Sequence, residues 1–551
     1  LLTADAPPLL PIRSARRQTH YARAVNAVAA GDTQGAKSHA AAVSAALSAS
    51  AVYTEWAPLA PLFRSGLVDA CGHFLASSEF RASACEVLRH LTHRRRGDTV
   101  NGAIKDAANA NANANASGGG SGPEADAAAD AAAVVAGLVG MCRSLGVAAQ
   151  HVLQAPPAEG GSEELEYARR LTECMASLAT NHLAVVPDPA LRAAFLEALL
   201  GLTKYPSLAV LGAAIPAWPG LLRGMGAELP GAFQRPDGKG PGSGVYGAQQ
   251  AQTQGSAAAA DVSSSSSAGA GAAKLPDGAV VALLETTRTW LEQGAGVAQG
   301  LSSAGVPTAM GDQWEQEYES RDELREAWVT LRARLMEVTK LCTALEPNAA
   351  ASSAASRVST TLAWLAPGAP LDANAASAEG RSAIDDAIGA SLEGVVSFIE
   401  PVVQALPLTG AAAASTTPAL ESMLTSLLAI DLKSPVAVSQ LARLLEALGR
   451  AALVRSEAAS ALLNRLFALL GSLPVEDAGA PPVRAKAAML AGRTVQAARQ
   501  RVCAAVLGVC AAAPNVREPS RSSNPFFPFP FLSLSLSLSA LSLRPPPVRA
   551  A

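Results

Sequence analysis

Seven histidines and seven cysteines are the groups through which this chain could hold a metal or run nucleophilic chemistry. His90 and His93 stand one helical turn apart, a spacing at which two imidazoles can chelate, but no third ligand follows at a recognised distance. Every histidine lies between His20 and His182, so the second half of the chain has no acid–base partner of that type. There is no GxSxG, P-loop or HExxH motif, and no GxGxxG after a strand. No catalytic residue, metal ligand or cofactor is therefore expected. The cysteines (71, 85, 142, 174, 342, 503, 510) show no CxxC spacing and sit in helical patterns. That distribution fits reduced, mostly buried thiols of a cytosolic or nuclear protein better than a disulfide framework.

Cations form the second chemical set. "SSEFRASACEVLRHLTHRRR", residues 77–96, holds five arginines against two glutamates and finishes in Arg94, Arg95 and Arg96. A second cluster, Arg484, Lys486, Arg493, Arg499 and Arg501, lies in one segment of helical pattern. Phosphate binding needs several cations converging on a backbone, because each neutralised phosphate adds counterion release. The second cluster makes no clean stripe: a turn beyond Arg493 stand Gln496 and Ala497, then Gln500, with Arg499 turned partly away. Two readings stay open for both clusters, a grip on a polyanion or solvated helix faces whose C-terminal cations offset the macrodipole. The net charge of -3 does not advertise nucleic acid, although a near-neutral total can hide a basic face. Trp56, Trp218, Trp290, Trp314, Trp328 and Trp364 mostly stand at helix starts or in apolar stripes, which predicts core packing rather than base stacking.

The elements that must position these residues read as helices. Of 551 residues 49% are apolar but only 4% aromatic, because alanine and leucine carry the apolar share. Both are strong helix formers, and β-branched runs bounded by turns are scarce, so the chain reads as all-α. It is also too long for one core and should form several domains or a repeat array. In 57–76, Leu59, Leu62, Phe63, Leu67, Cys71, Phe74 and Leu75 recur at helical spacing. A short turn follows, with Ser77 or Ser78 as N-cap and Glu79 in the first turn. The next helix places Phe80, Ala84, Val87, Leu88 and Leu91 on one face. Downstream, Asp188 and Pro189 read as N-cap and N1 of another paired helix. Two helices in about forty residues is the unit of a HEAT-like array.

These patterns predict a HEAT-repeat α-solenoid with low-complexity loop inserts. Residues 1–100, 126–231 and 276–514 read as HEAT-like repeats, 101–125 and 232–275 as low-complexity inserts, and 515–551 as an atypical tail. A shorter proline- and alanine-rich piece occupies 367–380. Such polar, glycine-rich tracts bury too little apolar surface to offset their ordering entropy and are expected to be flexible surface loops. The tail, with "FLSLSLSLSALSL", alternates leucine and serine where period 3.6 had ruled. Its preferred reading is translated non-coding sequence or a misjudged exon end, with a genuine disordered tail second. The chain opens on Leu-Leu with no signal-peptide pattern and reads as starting inside a longer protein. No uninterrupted apolar run of transmembrane length is expected, hence no membrane partner.

The block "TEWAPLAPLFRSGLVDACGHFLASSEFRASACEVLRHLTHRRRGD" resembles the exportin-5 family of karyopherins, particularly its plant branch. The family's order is an "EWAP" entry, a glycine-containing helix and an "FR..ACE" helix ending in basic residues. Here these are Glu55 to Pro58, Gly66 and Gly72, and Phe80, Arg81, Ala84, Cys85 and Glu86. "LLGLTKYPSLAVLGAAIPAW", "EYESRDELREAWVTLRARLMEVTKLCTALEP" and "RAKAAMLAGRTVQAARQRVCAAVLGVC" follow in the family's order, so the resemblance spans roughly residues 20 to 514. It implies a karyopherin-like superhelix acting as a nuclear export receptor that shuttles between nucleus and cytoplasm. Such a receptor binds Ran-GTP, meets nucleoporins and carries double-stranded or structured RNA, such as microRNA precursors with a short 3′ overhang, and in some members tRNA or proteins. RNA-contact candidates are then Arg94, Arg95, Arg96, Arg484, Lys486, Arg493, Arg499 and Arg501. The inserts depart from the family's shorter loops. The family's N-terminal repeats, where Ran chiefly docks, would precede Leu1, and the C-terminal half of the arch would follow Asn515. The alternative is a HEAT scaffold that binds proteins only, through grooves such as one around "EQEYESRDELRE", residues 315–326.

Overall fold

An apolar stripe at period 3.6 leaves a lone helix with a face it cannot bury, and here that face is covered by stacking helices in two layers. The computed structural model describes residues 19–27, 29–94, 123–154, 162–227, 275–295, 314, 317–365, 378–407, 410–429, 435–452, 461–462 and 464–469. After helical residues 19–27 come α1 (Thr33–Thr54), α2 (Leu59–Arg64), α3 (Leu67–Phe74), α4 (Arg81–His93) and α5 (Pro123–Gln154). Next are α6 (Ser162–Asn181), α7 (Pro189–Thr203), α8 (Leu208–Ala214), α9 (Ala217–Gly224) and α10 (Ala279–Gln293). Then come α11 (Arg321–Leu345), α12 (Pro347–Leu365), α13 (Ala378–Ala405), α14 (Gly410–Ala429) and α15 (Pro435–Ala452), followed by helical residues 461–462 and 464–469. The described residues contain no strand.

Packing sorts these helices into two files. One runs α1, α4, α6, α8 with α9, α11, α13 and α15, each resting on the next. The other runs α2 with α3, α5, α7, α10, α12 and α14. Hairpin partners such as α5 with α6, α10 with α11 and α14 with α15 join the files, and one continuous core fills the space between them. This is the neighbour-only packing of a HEAT-repeat solenoid.

Local expectations meet the structure unevenly. All seven stripe residues of 57–76 are buried, and so is the Phe80–Leu91 face. The first stripe is nevertheless two helices, because Gly66 adopts a left-handed φ of 69° and breaks it between α2 and α3. Neither Ser77 nor Ser78 caps α4: it starts at Arg81, with Phe80 at the N-cap and no side-chain cap. Burial sets that entry instead, since Phe80 packs edge-on against Phe74 and Tyr21 with centroids 5.5 and 6.2 Å apart. Asp188 caps α7 as expected, accepting from Ala190 N at 2.9 Å and Leu191 N at 3.2 Å, with Pro189 following.

Helix α5 begins at Pro123, inside the 101–125 stretch. Its Ala128–Gln154 portion is long and apolar enough, by length and composition, to cross a membrane, although Asp130 and Arg143 interrupt the apolar run. The run is apolar because α5 is flanked in its file by α2 and α3 on one side and α7 on the other, and also backs onto α6. Val134, Leu138, Met141 and Leu145 are buried there, while Arg143 is exposed. Cys71, Cys85, Cys142, Cys174 and Cys342 are buried free thiols, as expected; burial pushes Cys142 up to about 12.

Candidate nucleic-acid interface

Of the eight cations read as contact candidates, Arg94 is described; Arg95, Arg96, Arg484, Lys486, Arg493, Arg499 and Arg501 lie outside the described residues. Arg94 is the C-cap of α4, where the backbone turns extended (φ -72°, ψ 135°). Its Nη1 donates to the Thr54 carbonyl at 3.0 Å and to that of Ala57. Thr54 ends α1, so its carbonyl is among the acceptors a helix C-terminus leaves without an intrahelical donor. Arg94 therefore ties the ends of two neighbouring helices of one file. Burial lowers its pKa from the ordinary value, but a guanidinium stays charged throughout the physiological range. Both bonds use one terminal nitrogen of a group with five donors.

Other cations of this file are matched to carboxylates, often across repeats. Arg81 of α4 pairs with Glu164 of α6 and sits 4.5 Å above the Tyr167 ring, whose hydroxyl donates to Leu75 O at 3.2 Å. Arg223 pairs with Glu337, Arg332 with Glu393 at 3.0 Å, and Arg443 with Glu400 at 2.9 Å. These link α9 to α11, α11 to α13 and α15 to α13. Within α6, Glu166 accepts from Arg169 at 2.8 Å and Arg170 at 2.6 Å, and these bonds hold its carboxyl down at about 2. His90 lies 3.2 Å from Glu86 and 3.6 Å from Glu55, and His93 Nδ1 lies 2.8 Å from Arg89 O. No group of three metal-ligating side chains occurs among the described residues.

The acidic segment holds helix starts. Glu317 accepts from Ser207 Oγ at 3.0 Å and Ala209 N at 3.1 Å, at the entry to α8. Burial raises its pKa, against the lowering effect of those bonds. Ser320 caps α11 by accepting from Glu323 N at 3.2 Å, and Glu323 accepts from Glu319 N at 3.1 Å, a capping box displaced by one residue.

One residue escaped the sequence reading. Trp218, Trp290, Trp314 and Trp328 are buried as expected, and the Trp364 side chain lies outside the described residues. Trp56 is 56% exposed, against the expectation of core packing. It falls in the turn between α1 and α2, where Ala57 is buried and Pro58 stands at the N-cap position of α2, which leaves the indole on the outside. Tyr53 meets it edge-on at 4.6 Å, and Val52 beside them is 62% exposed. The signal was its place after a helix end and two residues before a proline.

The family model that matches the chain is that of the Exportin-5 family, over residues 162–519, well over half of the sequence. The chain belongs to the Exportin-5 family. It is 26% identical over 517 residues to Protein HASTY 1 of Arabidopsis thaliana, a match covering 93% of this chain and 38% of that protein. That leaves too few residues outside to omit the N-terminal repeats that carry Trp56 and Arg94. The chain spans 38% of the length of this curated relative. A crystal structure of an engineered protein covers 85% of the chain, with 96% of its own length matched, at 14% identity and a TM-score of 0.19, a likeness that carries no argument. The HEAT-repeat fold rests on the two-file packing and on family membership.

Proposed function

We propose that the protein is a nuclear export receptor that carries structured RNA out of the nucleus together with Ran-GTP. Membership in the Exportin-5 family is the observation that carries this reading. On it, the protein shuttles between nucleus and cytoplasm, engages nucleoporins, and takes microRNA precursors or tRNA as cargo. The contacts are Arg94, Arg95, Arg96, Arg484, Lys486, Arg493, Arg499 and Arg501. The physics of RNA favours a solenoid as its carrier, because an A-form duplex hides its base edges in a deep major groove and leaves shape, phosphates and 2′-hydroxyls to be read. A long stacked surface suits such recognition and needs no covalent step or metal. The test is binding of a labelled RNA hairpin to the chain with Ran-GTP or Ran-GDP. The reading expects hairpin binding that Ran-GTP strengthens; absence of hairpin binding in either mixture sinks it.

A second reading, a HEAT scaffold that binds proteins only, is favoured by the pairing of Arg81, Arg169, Arg223, Arg332 and Arg443 with carboxylates. Paired cations offer a phosphate less. Protein capture that is indifferent to nuclease treatment would select this reading over the first.

A further inference from the structure

We propose that His20 and His39 form a zinc-binding clip that fastens the helical residues 19–27 to α1. The inference is independent of the RNA reading above. The two imidazoles come from positions nineteen residues apart and meet Nδ1 to Nδ1 at 3.2 Å. Ring centroids 5.3 Å apart against nitrogens 3.2 Å apart put both Nδ1 edges on the gap between the rings. Zinc bonds imidazole nitrogen at about 2.0–2.1 Å, so an ion shared across 3.2 Å subtends roughly 100–106°, near the tetrahedral angle it takes. A square-planar ion with the two rings adjacent would need nitrogens roughly 2.8–3.0 Å apart, and calcium or magnesium would want oxygen ligands. Without an ion, one ring holds its proton on Nδ1 and donates it to the other. With the ion, both rings carry that proton on Nε2, so the metal takes the place of the bridging proton and none is released.

Both rings are positioned from beneath. In the 19–27 helix Ala24 is buried, and Tyr21, next to His20, packs edge-on against Phe74 at 5.3 Å and Phe80 at 6.2 Å. On α1, Ala40 and Val43 follow His39 into the core. Both imidazoles are half-buried, which leaves one side open for water to fill the two remaining positions of a tetrahedral ion. His90 and His93, the pair that sequence spacing offers, differ in this respect. His93 Nδ1 is engaged at 2.8 Å by Arg89 O, and both His90 nitrogens face carboxylates. Sequence spacing hides the His20–His39 pair because the two belong to different helices. A zinc ion there would join two elements whose contact otherwise rests on small apolar side chains and one tyrosine.

The experiment adds Zn(II) to the full chain and follows hydrogen exchange of the Ala30 and Asp32 amides, which close the end of the 19–27 helix on Asn26 O and Ala27 O. At a free-ion concentration of about 100 Kd, their exchange should slow by up to about 100-fold. H20Q and H39Q should each abolish the slowing, while H90Q/H93Q should keep it. A second readout needs no variant. Zn(II) should shield His20 and His39 of the parent chain from diethyl pyrocarbonate, read by peptide mass, and leave the exposed His73 reactive. Zinc that binds without slowing these amides, or that slows them equally in H20Q and H39Q, is an adventitious ion only and overturns the inference. Modification of His20 and His39 at the same rate with and without saturating Zn(II) overturns it too, as does absence of zinc binding. Neither readout involves RNA, so the export reading stands or falls separately.

Discussion

Replacing Arg94 by alanine removes the donor shared by the Thr54 and Ala57 carbonyls at the junction of α1, α2 and α4. A hydrogen bond to a charged group contributes about 1.5–3 kcal/mol. A cation at a helix C-terminus adds about 0.3–1 kcal/mol. Arg94 is half-buried, so water replaces part of the interaction, and a net cost of about 2 kcal/mol is the reasonable figure. In a solenoid that loss is felt locally rather than across the chain. The assay is therefore native-state hydrogen exchange of the amides that close this corner, Glu55 N on Val52 O and Ala57 N on Tyr53 O. At about 1.4 kcal/mol per factor of ten, their exchange should quicken roughly 30-fold in R94A. R94K keeps the charge but not the forked donor and should fall between. Exchange within twofold of the parent protein would refute the structural role given to Arg94. This result also bears on RNA contact. A wholly structural Arg94 leaves the salt slope of RNA binding unchanged on mutation, while a phosphate contact lowers it by just under one.

Three further outcomes follow from the same geometry. Glu166 has its pKa depressed to about 2 from 4.5, so the stability it gives α6 is present above pH 4.5 and lost as pH falls toward 2. E166Q should remove that acid-dependent component, read by circular dichroism between pH 5 and about 2. For Glu317 burial raises the pKa, so this carboxyl favours folding as pH falls through its folded value. E317Q should be neutral or stabilising at pH 7, while E317A strands Ser207 and the Ala209 amide and costs about 1–3 kcal/mol. In G294A the new methyl meets the buried Trp328 ring, so overpacking should destabilise the α10–α11 pair by about 1–3 kcal/mol in denaturant melts.

The repeat architecture was legible because burial writes itself at period 3.6: Leu59 through Leu75 and Phe80 through Leu91 all entered the core they were assigned to. Asp188 was legible for a different reason, since a cap acts within three residues of itself. What escaped depends on residues distant in sequence. Gly66 could have been helical by composition, and its positive φ is imposed by the bend that fits α2 and α3 against α5. Arg94 reads as a solvated helix end until α1 is seen to finish forty residues upstream with carbonyls facing it. Glu317 looks like part of an acidic surface until Ser207 arrives beside it from 110 residues away. Trp56 was misjudged because a place beside a helix start suggests core packing, whereas in the turn before Pro58 it is Ala57 that is buried and the indole that stays exposed.

The central claim, recognition of RNA through its phosphates, is tested most directly by the salt dependence of hairpin binding. Affinity for the full chain should fall linearly on a log–log plot against salt. R95A/R96A, which leaves the Arg94 tie intact, should lower the slope by just under one for each phosphate it no longer neutralises. Affinity that is flat between low and moderate salt, or a double variant indistinguishable from the parent in slope and affinity, would contradict the account.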